Sequence, residues 1–310
     1  MNSTVTASRT EYCAAEKRLR KRYSLEANEH FFDVPALSLK GRALEVGSGE
    51  PLLMVHGGGG VSVQWVPLIA EITGRRIIAV DRPACGLSDP FNHRGVNIRD
   101  HAVGFLSGAL DYFDIPSTDV VANSMGGLWS LWLSIDQPAR VKSLALLGCP
   151  ALMLDTSAPF VMRLLGVRGL NKLMWSTQKP SAEYMKKLHV MMGHKSEALE
   201  NHAPEYWDAV YLAGTSSGYR DGWLTLIESV TTLTGGKKQY QMNEQQLSKV
   251  QTPTFLVWCD NDSFGGSEVE ERSQAAITGS QLKVIPGGHL PWLDDTQRVS
   301  ELVNSWLSSK

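Results

Sequence analysis

Residues 120–127 run Val120-Val121-Ala122-Asn123-Ser124-Met125-Gly126-Gly127. An apolar, β-branched run enters a serine and continues at once in a helical pattern that ends before Pro138. Small residues, Ala122 and Gly126, flank the serine two positions to either side. A strand that turns directly into a helix brings the two backbones close together and leaves little room for side chains there. The turn pushes Ser124 out at the carboxyl end of the strand, before a helix N-terminus, where negative charge is favoured. A serine in this place can also do no more than cap the helix, so chemistry requires partners elsewhere in the chain.

On either side of this turn, strand and helix patterns alternate. Residues 31–47 suggest two short strands joined at Lys40-Gly41, and residues 51–60 (PLLMVHGGGG) a buried strand entering a glycine loop. Residues 61–74 suggest a helix closed by Gly74, 75–83 a buried strand, 97–115 a helix and 141–150 another strand. This alternation is the signature of a parallel sheet covered on both faces. It stops near residue 152, and up to about residue 248 only helical patterns are expected. The sheet pattern resumes with 252–260, a helix over 267–278, the strand at 281–288 and a closing helix at 294–309. One α/β domain interrupted by a helical insertion accounts for the whole pattern.

The 310-residue chain is 43% hydrophobic and 20% charged, which supplies ample core and excludes intrinsic disorder. Its net charge of −2 argues against a dedicated nucleic-acid binder. Cys13, Cys85, Cys149 and Cys259 lie far apart with no CxxC pair, which disfavours a zinc module or disulfide framework and suggests a reducing, cytoplasmic setting. The N-terminal thirty residues show no apolar leader pattern, and no run is long enough to span a membrane. The basic cluster Lys17–Arg22 is expected to be the solvated face of a helix over about 9–22.

A nucleophilic serine needs a base, a group to orient that base and donors for the oxyanion. Most of the eight histidines (His30, His93, His101, His189, His194, His202) fall in helical or loop patterns that suit surface or packing roles. His189 and His194 are five apart, off a common helix face, which argues against a metal pair. His289 differs, because it follows a strand through Pro286-Gly287-Gly288 and sits on the loop after the last strand. The strand 254–259 leads into Asp260-Asn261-Asp262, and Asp262, farther into the loop, is favoured over Asp260 as the orienting acid, with Asp155 the outside candidate. After another buried strand, His56-Gly57-Gly58-Gly59-Gly60 offers bare backbone amides, and Met125 supplies the amide that follows the nucleophile. No G-K-[ST] follows and the spacing is not G-x-G-x-x-G, so a phosphate loop or dinucleotide site is rejected. His56 itself suits a structural hydrogen bond better than catalysis.

Together these residues resemble the α/β-hydrolase superfamily. Ser124, Asp262 and His289 follow its chain order of nucleophile, acid and base. Asp81-Arg82-Pro83-Ala84-Cys85-Gly86-Leu87-Ser88 is similar to its D-R-P-G-x-G-x-S segment. Trp258–Asp262 is similar to its W-G-x-x-D loop, with Cys259 in place of glycine. Gly288–Trp292 is similar to its G-H-x-P-W loop. The resemblance covers 31–151 and 249–308. It implies an α/β-hydrolase core over 1–151 and 249–310, with a mostly parallel central sheet, and a helical cap over 152–248. It further implies a triad of Ser124, Asp262 and His289, with an oxyanion hole at Gly58 and Met125. The expected substrate-side residues are Gly57, Gly59, Trp65, Asn123, Trp175 and Leu290.

A serine at 124 is unlike the aspartate of haloalkane dehalogenases and epoxide hydrolases. HGGGG with Asn123–Gly127 is similar to the meta-cleavage product hydrolases, which cleave carbon–carbon bonds, but Ala122, Val61 and Leu290 depart from their G-N-S-M-G-G, HGGGPG and post-histidine tryptophan. The expected activity is therefore hydrolysis of a carboxylic ester or lactone of a small, largely apolar substrate through an acyl-enzyme, without cofactor. A carbon–carbon hydrolase acting on a vinylogous diketone, a non-hydrolytic small-molecule receptor and a cofactor-free oxygenase or perhydrolase are the alternatives, with a homodimer left open. In the cap, Met153, Met162, Met174, Met185, Met191 and Met192 with Trp175, Trp207 and Trp223 could face an apolar ligand, and Arg163, Arg168 and Arg220 a carboxylate.

Overall fold

The computed structural model describes residues 8–156, 158–178 and 180–309, so the start of the stretch inspected for a leader lies outside it. The chain begins with α1 (Arg9–Arg22), β1 (Asn28–Val34), β2 (Leu39–Gly47) and β3 (Glu50–Val55). It continues through α2 (Val66–Ile69), β4 (Arg75–Asp81), α3 (Ile98–Tyr112), β5 (Thr118–Asn123), α4 (Ser124–Asp136) and β6 (Val141–Leu147). Every residue of β5 is buried, as a central parallel strand covered on both faces requires.

Between β6 and the next sheet strand lie α5 (Phe160–Leu164), α6 (Leu170–Thr177), α7 (Ala182–Met191), α8 (Ser196–Glu200), α9 (Pro204–Gly214) and α10 (Tyr219–Val230). The segment also holds two-residue strands β7 (Thr231–Thr232) and β8 (Gly235–Gly236), which pair with each other, and the short α11 (Glu244–Leu247). The fold closes with β9 (Thr254–Cys259), α12 (Ser267–Ala276), β10 (Gln281–Ile285), α13 (Pro291–Asp294) and α14 (Thr296–Ser308).

Eight strands form one sheet in the order β1-β2-β4-β3-β5-β6-β9-β10. The β1–β2 and β2–β4 pairs are antiparallel and all others parallel. One face packs on Phe105, Trp129 and Trp132 of α3 and α4. The other packs on Trp65, Trp292, Val299, Val303 and Trp306. Each such side chain contributes about 1.5–3 kcal/mol on burial. Among the described residues no helix is long and apolar enough to cross a membrane.

Three sequence expectations shift. The corner between β1 and β2 lies at Pro35–Ser38 rather than at Lys40-Gly41, because Pro35 has no N–H for the ladder and its ring fixes φ. Gly41 instead pairs with Phe32 inside the strands. The helix expected over 61–74 is a 3₁₀ turn at Ser62–Trp65 followed by one α turn. Val61, Val63, Val66 and Ile69 are β-branched and buried, Pro67 lacks a donor, and packing on all sides overrides helical periodicity. The small β7–β8 pair has too few residues to leave a period-two pattern.

Helix α1 starts with a capping box, in which Ser8 accepts from Glu11 N and donates its own N–H to the Glu11 carboxylate. Tyr12, Ala15 and Leu19 pack into the same cluster as Tyr206, Trp207 and Val210 of α9. Lys17, Arg18, Lys21 and Arg22 are exposed, while Arg20 turns inward to Glu16. The fully buried Arg42 on β2 pairs with Glu16 at 2.5 Å, Glu29 at 2.9 Å and Asp81 at 3.3 Å, tying α1 to the sheet.

Candidate active site

Asn123 ends β5 in extended geometry and Ser124 has φ of 51°. The left-handed region is unfavourable for a residue with a β-carbon, and such strain persists only where the surroundings impose it. Here β5 and α4 are both buried to their junction. A β-carbon placed on Gly126 would stand 2.2 Å from the Val55 carbonyl oxygen and 2.6 Å from that of His56. Glycine at this position therefore lets the end of β3 lie against the first turn of α4.

The loop after β9 carries Asp262 to His289 on the loop after β10, where Nδ1 lies 2.9 Å from Oδ1 and 3.0 Å from Oδ2. The Asp262 carboxylate also accepts from the amides of Cys149 at 2.8 Å and Phe264 at 2.9 Å. These contacts orient a proton on Nδ1 and leave Nε2 as the lone-pair nitrogen. Nε2 is buried and has no hydrogen-bond partner among the described residues. The Phe264 ring stacks on the imidazole at 4.1 Å. Asp260 instead accepts from Gly287 N, and exposed Asp155 pairs with Arg272.

Several contacts hold the His289 backbone. Its carbonyl accepts from the Asn123 side chain at 2.9 Å, and its N–H donates to the Met192 carbonyl at 3.0 Å. The next amide, Leu290 N, donates to His194 Nε2, while His194 Nδ1 donates to Asp294 at 2.6 Å. Asp294 also accepts from Gly288 N. Burial works against the Asp294 charge, but the hydrogen bonds from His194 and the Gly288 amide outweigh it and lower the carboxyl pKa.

The glycine loop after β3 lies directly over the serine. A β-carbon on Gly57 would be 3.1 Å from Ser124 Cβ, and one on Gly58 would be 2.8 Å from the Trp223 ring and 3.8 Å from Met125 Cβ. Tyr219 donates to the Gly59 carbonyl at 2.7 Å. Met125 N belongs to the first turn of α4, which offers no intrahelical acceptor. His56 is buried, its Nδ1 on the Gly57 carbonyl and its Nε2 accepting from Arg82 N. Burial, then the Arg82 charge, drives its pKa well down, so this imidazole is neutral.

The structure moves some expected substrate-side residues elsewhere. Trp65 is fully buried and lies against Trp292 at 4.2 Å in the core, because its turn packs under the sheet; Trp223 is the indole on the glycine loop. Asn123 spends its amide on the carbonyls of Leu147 and His289, so it braces two loops rather than facing a ligand. Trp175 is half-buried beside Tyr219 and Trp223, and Leu290 is buried with its N–H on His194. The proposed methionine surface divides, since Met153 is fully buried and Met191 is 61% exposed. Trp207 joins the core under α1. Arg220 pairs with Asp221, whereas Arg163 donates to the Leu233 carbonyl and has no carboxylate partner among the described residues.

His93, His101, His189 and His194 are buried. Desolvation lowers the pKa of His93 to about 3, of His101 to about 4 and of His189 to about 3. Sequence inspection overlooked Phe264, the His194–Asp294 pair and the contact of Arg82 with the glycine loop. Only the spacing of Asp294 after His289 and the arginine in the 81–88 segment offered any signal. Among the described residues no three His, Cys, Asp or Glu side chains are grouped to hold a metal ion.

The alpha/beta hydrolase fold family model matches residues 50–296. The chain belongs to that family and is a hydrolase. It is 26% identical over 275 residues to a 2-hydroxy-6-oxononadienedioate/2-hydroxy-6-oxononatrienedioate hydrolase of Cupriavidus pinatubonensis, covering 86% of this chain and 89% of the relative. In structure it is similar to a carboxylesterase of Bacillus subtilis, with TM-score 0.77, 18% identity and 97% and 99% of the two chains covered. It is also similar to a meta-cleavage product hydrolase of Pseudomonas fluorescens, with TM-score 0.70, 18% identity and coverage of 92% and 97%.

Proposed function

We propose that the chain hydrolyses a carboxylic ester of a small, largely apolar substrate through an acyl-enzyme on Ser124. The observation that carries this reading is the Asp262–His289 pair, whose outer nitrogen is buried and unpaired on a loop braced to the residue before Ser124. His289 takes the Ser124 proton as the oxygen attacks the carbonyl, and Asp262 steadies the imidazolium. The amides of Gly58 and Met125 hold the oxyanion. His289 returns the proton to the leaving alkoxide, and water then repeats the sequence to release the acid.

Residues 152–248 act as a cap over this site. Trp223 and Tyr219 touch the glycine loop, and Met192 and His194 grip the histidine loop. Trp223 and Met125 lie against Gly58, and Tyr219, with Trp175 beside it, lies against Gly59; apolar side chains at the glycine loop suit an ester with a hydrocarbon acyl group.

Cleavage of a carbon–carbon bond is the second reading, favoured by the dienedioate hydrolase named among the relatives. Such a substrate carries two carboxylates, and of the three cap arginines nominated for a carboxylate, Arg220 is already paired with Asp221. A panel of p-nitrophenyl esters of increasing chain length, a lactone and a 2-hydroxy-6-oxo dienoate separates the readings. Short-chain esters are expected to exceed the dienoate in kcat/KM by at least about tenfold, or about 1.4 kcal/mol of transition-state stabilisation. The reverse order would assign the carbon–carbon reaction instead.

A further inference from the structure

The geometry points to Arg82 as the positioning residue of the oxyanion loop, a guanidinium that fixes the Gly57 and Gly58 carbonyls and thereby aims the amides of Gly58 and Gly59. This inference rests on Ser124 being the nucleophile. Arg82 follows β4, is 1% exposed and donates to three carbonyl oxygens of one loop. Nε reaches His56 O at 3.1 Å, and Nη2 reaches Gly57 O at 2.6 Å and Gly58 O at 2.7 Å. The face of the guanidinium lies over Trp129 at 4.9 Å. Its own N–H donates to His56 Nε2 at 2.9 Å, so backbone and side chain grip the same loop.

Two features set this arginine apart. Arg42, also buried, is surrounded by Glu16, Glu29 and Asp81, whereas no carboxylate oxygen of the described residues lies within 4.0 Å of the Arg82 guanidinium. A buried charge without a counter-ion is costly, and burial lowers the Arg82 pKa accordingly. One of the carbonyls it holds, Gly57 O, also decides where the Gly58 amide, an oxyanion donor, points. In a trans peptide the C=O and the following N–H point in opposite directions. Fixing Gly57 O toward Arg82 turns Gly58 N–H away from it, and fixing Gly58 O does the same for Gly59 N–H. The Gly58 side of the loop is the one beside Met125 and Trp223. The guanidinium polarises both peptides in the sense that strengthens their donors, and its unneutralised charge favours an anion forming on their far side. Gly57 O accepts from His56 Nδ1 and Gly60 N as well, so the peptide before Gly58 is held from three sides.

Arg82→Met and Arg82→Lys, with Ser124→Ala beside them, test this on p-nitrophenyl acetate. The same variants are titrated with a trifluoromethyl ketone, which forms a tetrahedral adduct on the serine oxygen, and with the matching methyl ketone. Arg82→Met is expected to lower kcat and trifluoromethyl ketone affinity on the order of 10²-fold, the loss seen on removing one oxyanion donor. KM and methyl ketone affinity should stay within about threefold, since ground-state binding does not use the donors fully. Arg82→Lys restores a charge without the planar fork and should recover about tenfold of the loss.

Equal losses in KM and both ketones, or a Lys variant no better than Met, would reduce Arg82 to a structural residue. Should Arg82→Met fail to fold, Arg82→Lys alone decides, with about a tenfold fall in kcat expected and a wild-type kcat overturning the inference. An inactive Ser124→Ala with wild-type Arg82 variants removes Arg82 only. An active Ser124→Ala removes the nucleophile, and the inference with it.

Discussion

Ser124→Ala is expected to lower kcat for p-nitrophenyl acetate on the order of 10⁶-fold, the scale on which removal of a serine nucleophile acts. The size follows from the loss of covalent catalysis, since no other hydroxyl is held on the elbow at the end of β5. The fold should be nearly unaffected, within about 0.5 kcal/mol, because only one small oxygen is removed and alanine carries the same β-carbon at φ of 51°. Burst-free progress curves together with an unchanged circular dichroism melt check both halves. Turnover within tenfold of wild type would exclude Ser124 as the nucleophile.

The second large effect is that of Asp262→Asn, for which kcat should fall about 10⁴-fold with KM little changed. An amide cannot present two acceptor oxygens to His289 Nδ1, so the imidazole loses the tautomer that places its lone pair on Nε2. The Cys149 and Phe264 amides donate to different carboxylate oxygens, so one of them also loses its acceptor, which should cost about 1–3 kcal/mol in a urea melt. Asp155→Asn is the control, because Asp155 is exposed and bound to Arg272, and its kcat should match wild type. A loss in Asp155→Asn comparable to that in Asp262→Asn would reassign the acid.

Much of this architecture was legible because parallel strands buried on both faces leave short apolar runs ending in glycine, serine or aspartate. The turn at Ser124, the glycines at 57–60 and the loop at Asp262 fall at such run ends, whereas His289 follows the mostly exposed edge strand β10 and stands out by the Pro286-Gly287-Gly288 before it. Where burial was uniform, periodicity failed. Val61–Ile69 is buried on every side, Ser62 and Gln64 included, so its pattern suggests a helix where a 3₁₀ turn and one α turn stand. Trp65 was assigned to the substrate because it follows the glycine loop, yet the direction of that turn is set by Trp292, 227 residues later in the chain. The His194–Asp294 pair and the Asn123 brace depend on which loops meet in space. Arg82 was visible as part of a motif, but its three carbonyl partners were not.

A fluorophosphonate reacts only with a serine whose oxygen is activated and whose phosphonyl oxygen can enter an oxyanion hole. Incubating the full chain with this reagent and mapping the adduct by peptide mass is the most direct measurement. One adduct per chain, on the peptide containing Ser124 and absent after heat denaturation, is the expected result. An adduct on any other residue, or an unlabelled Ser124 in a chain that still hydrolyses esters, would contradict it.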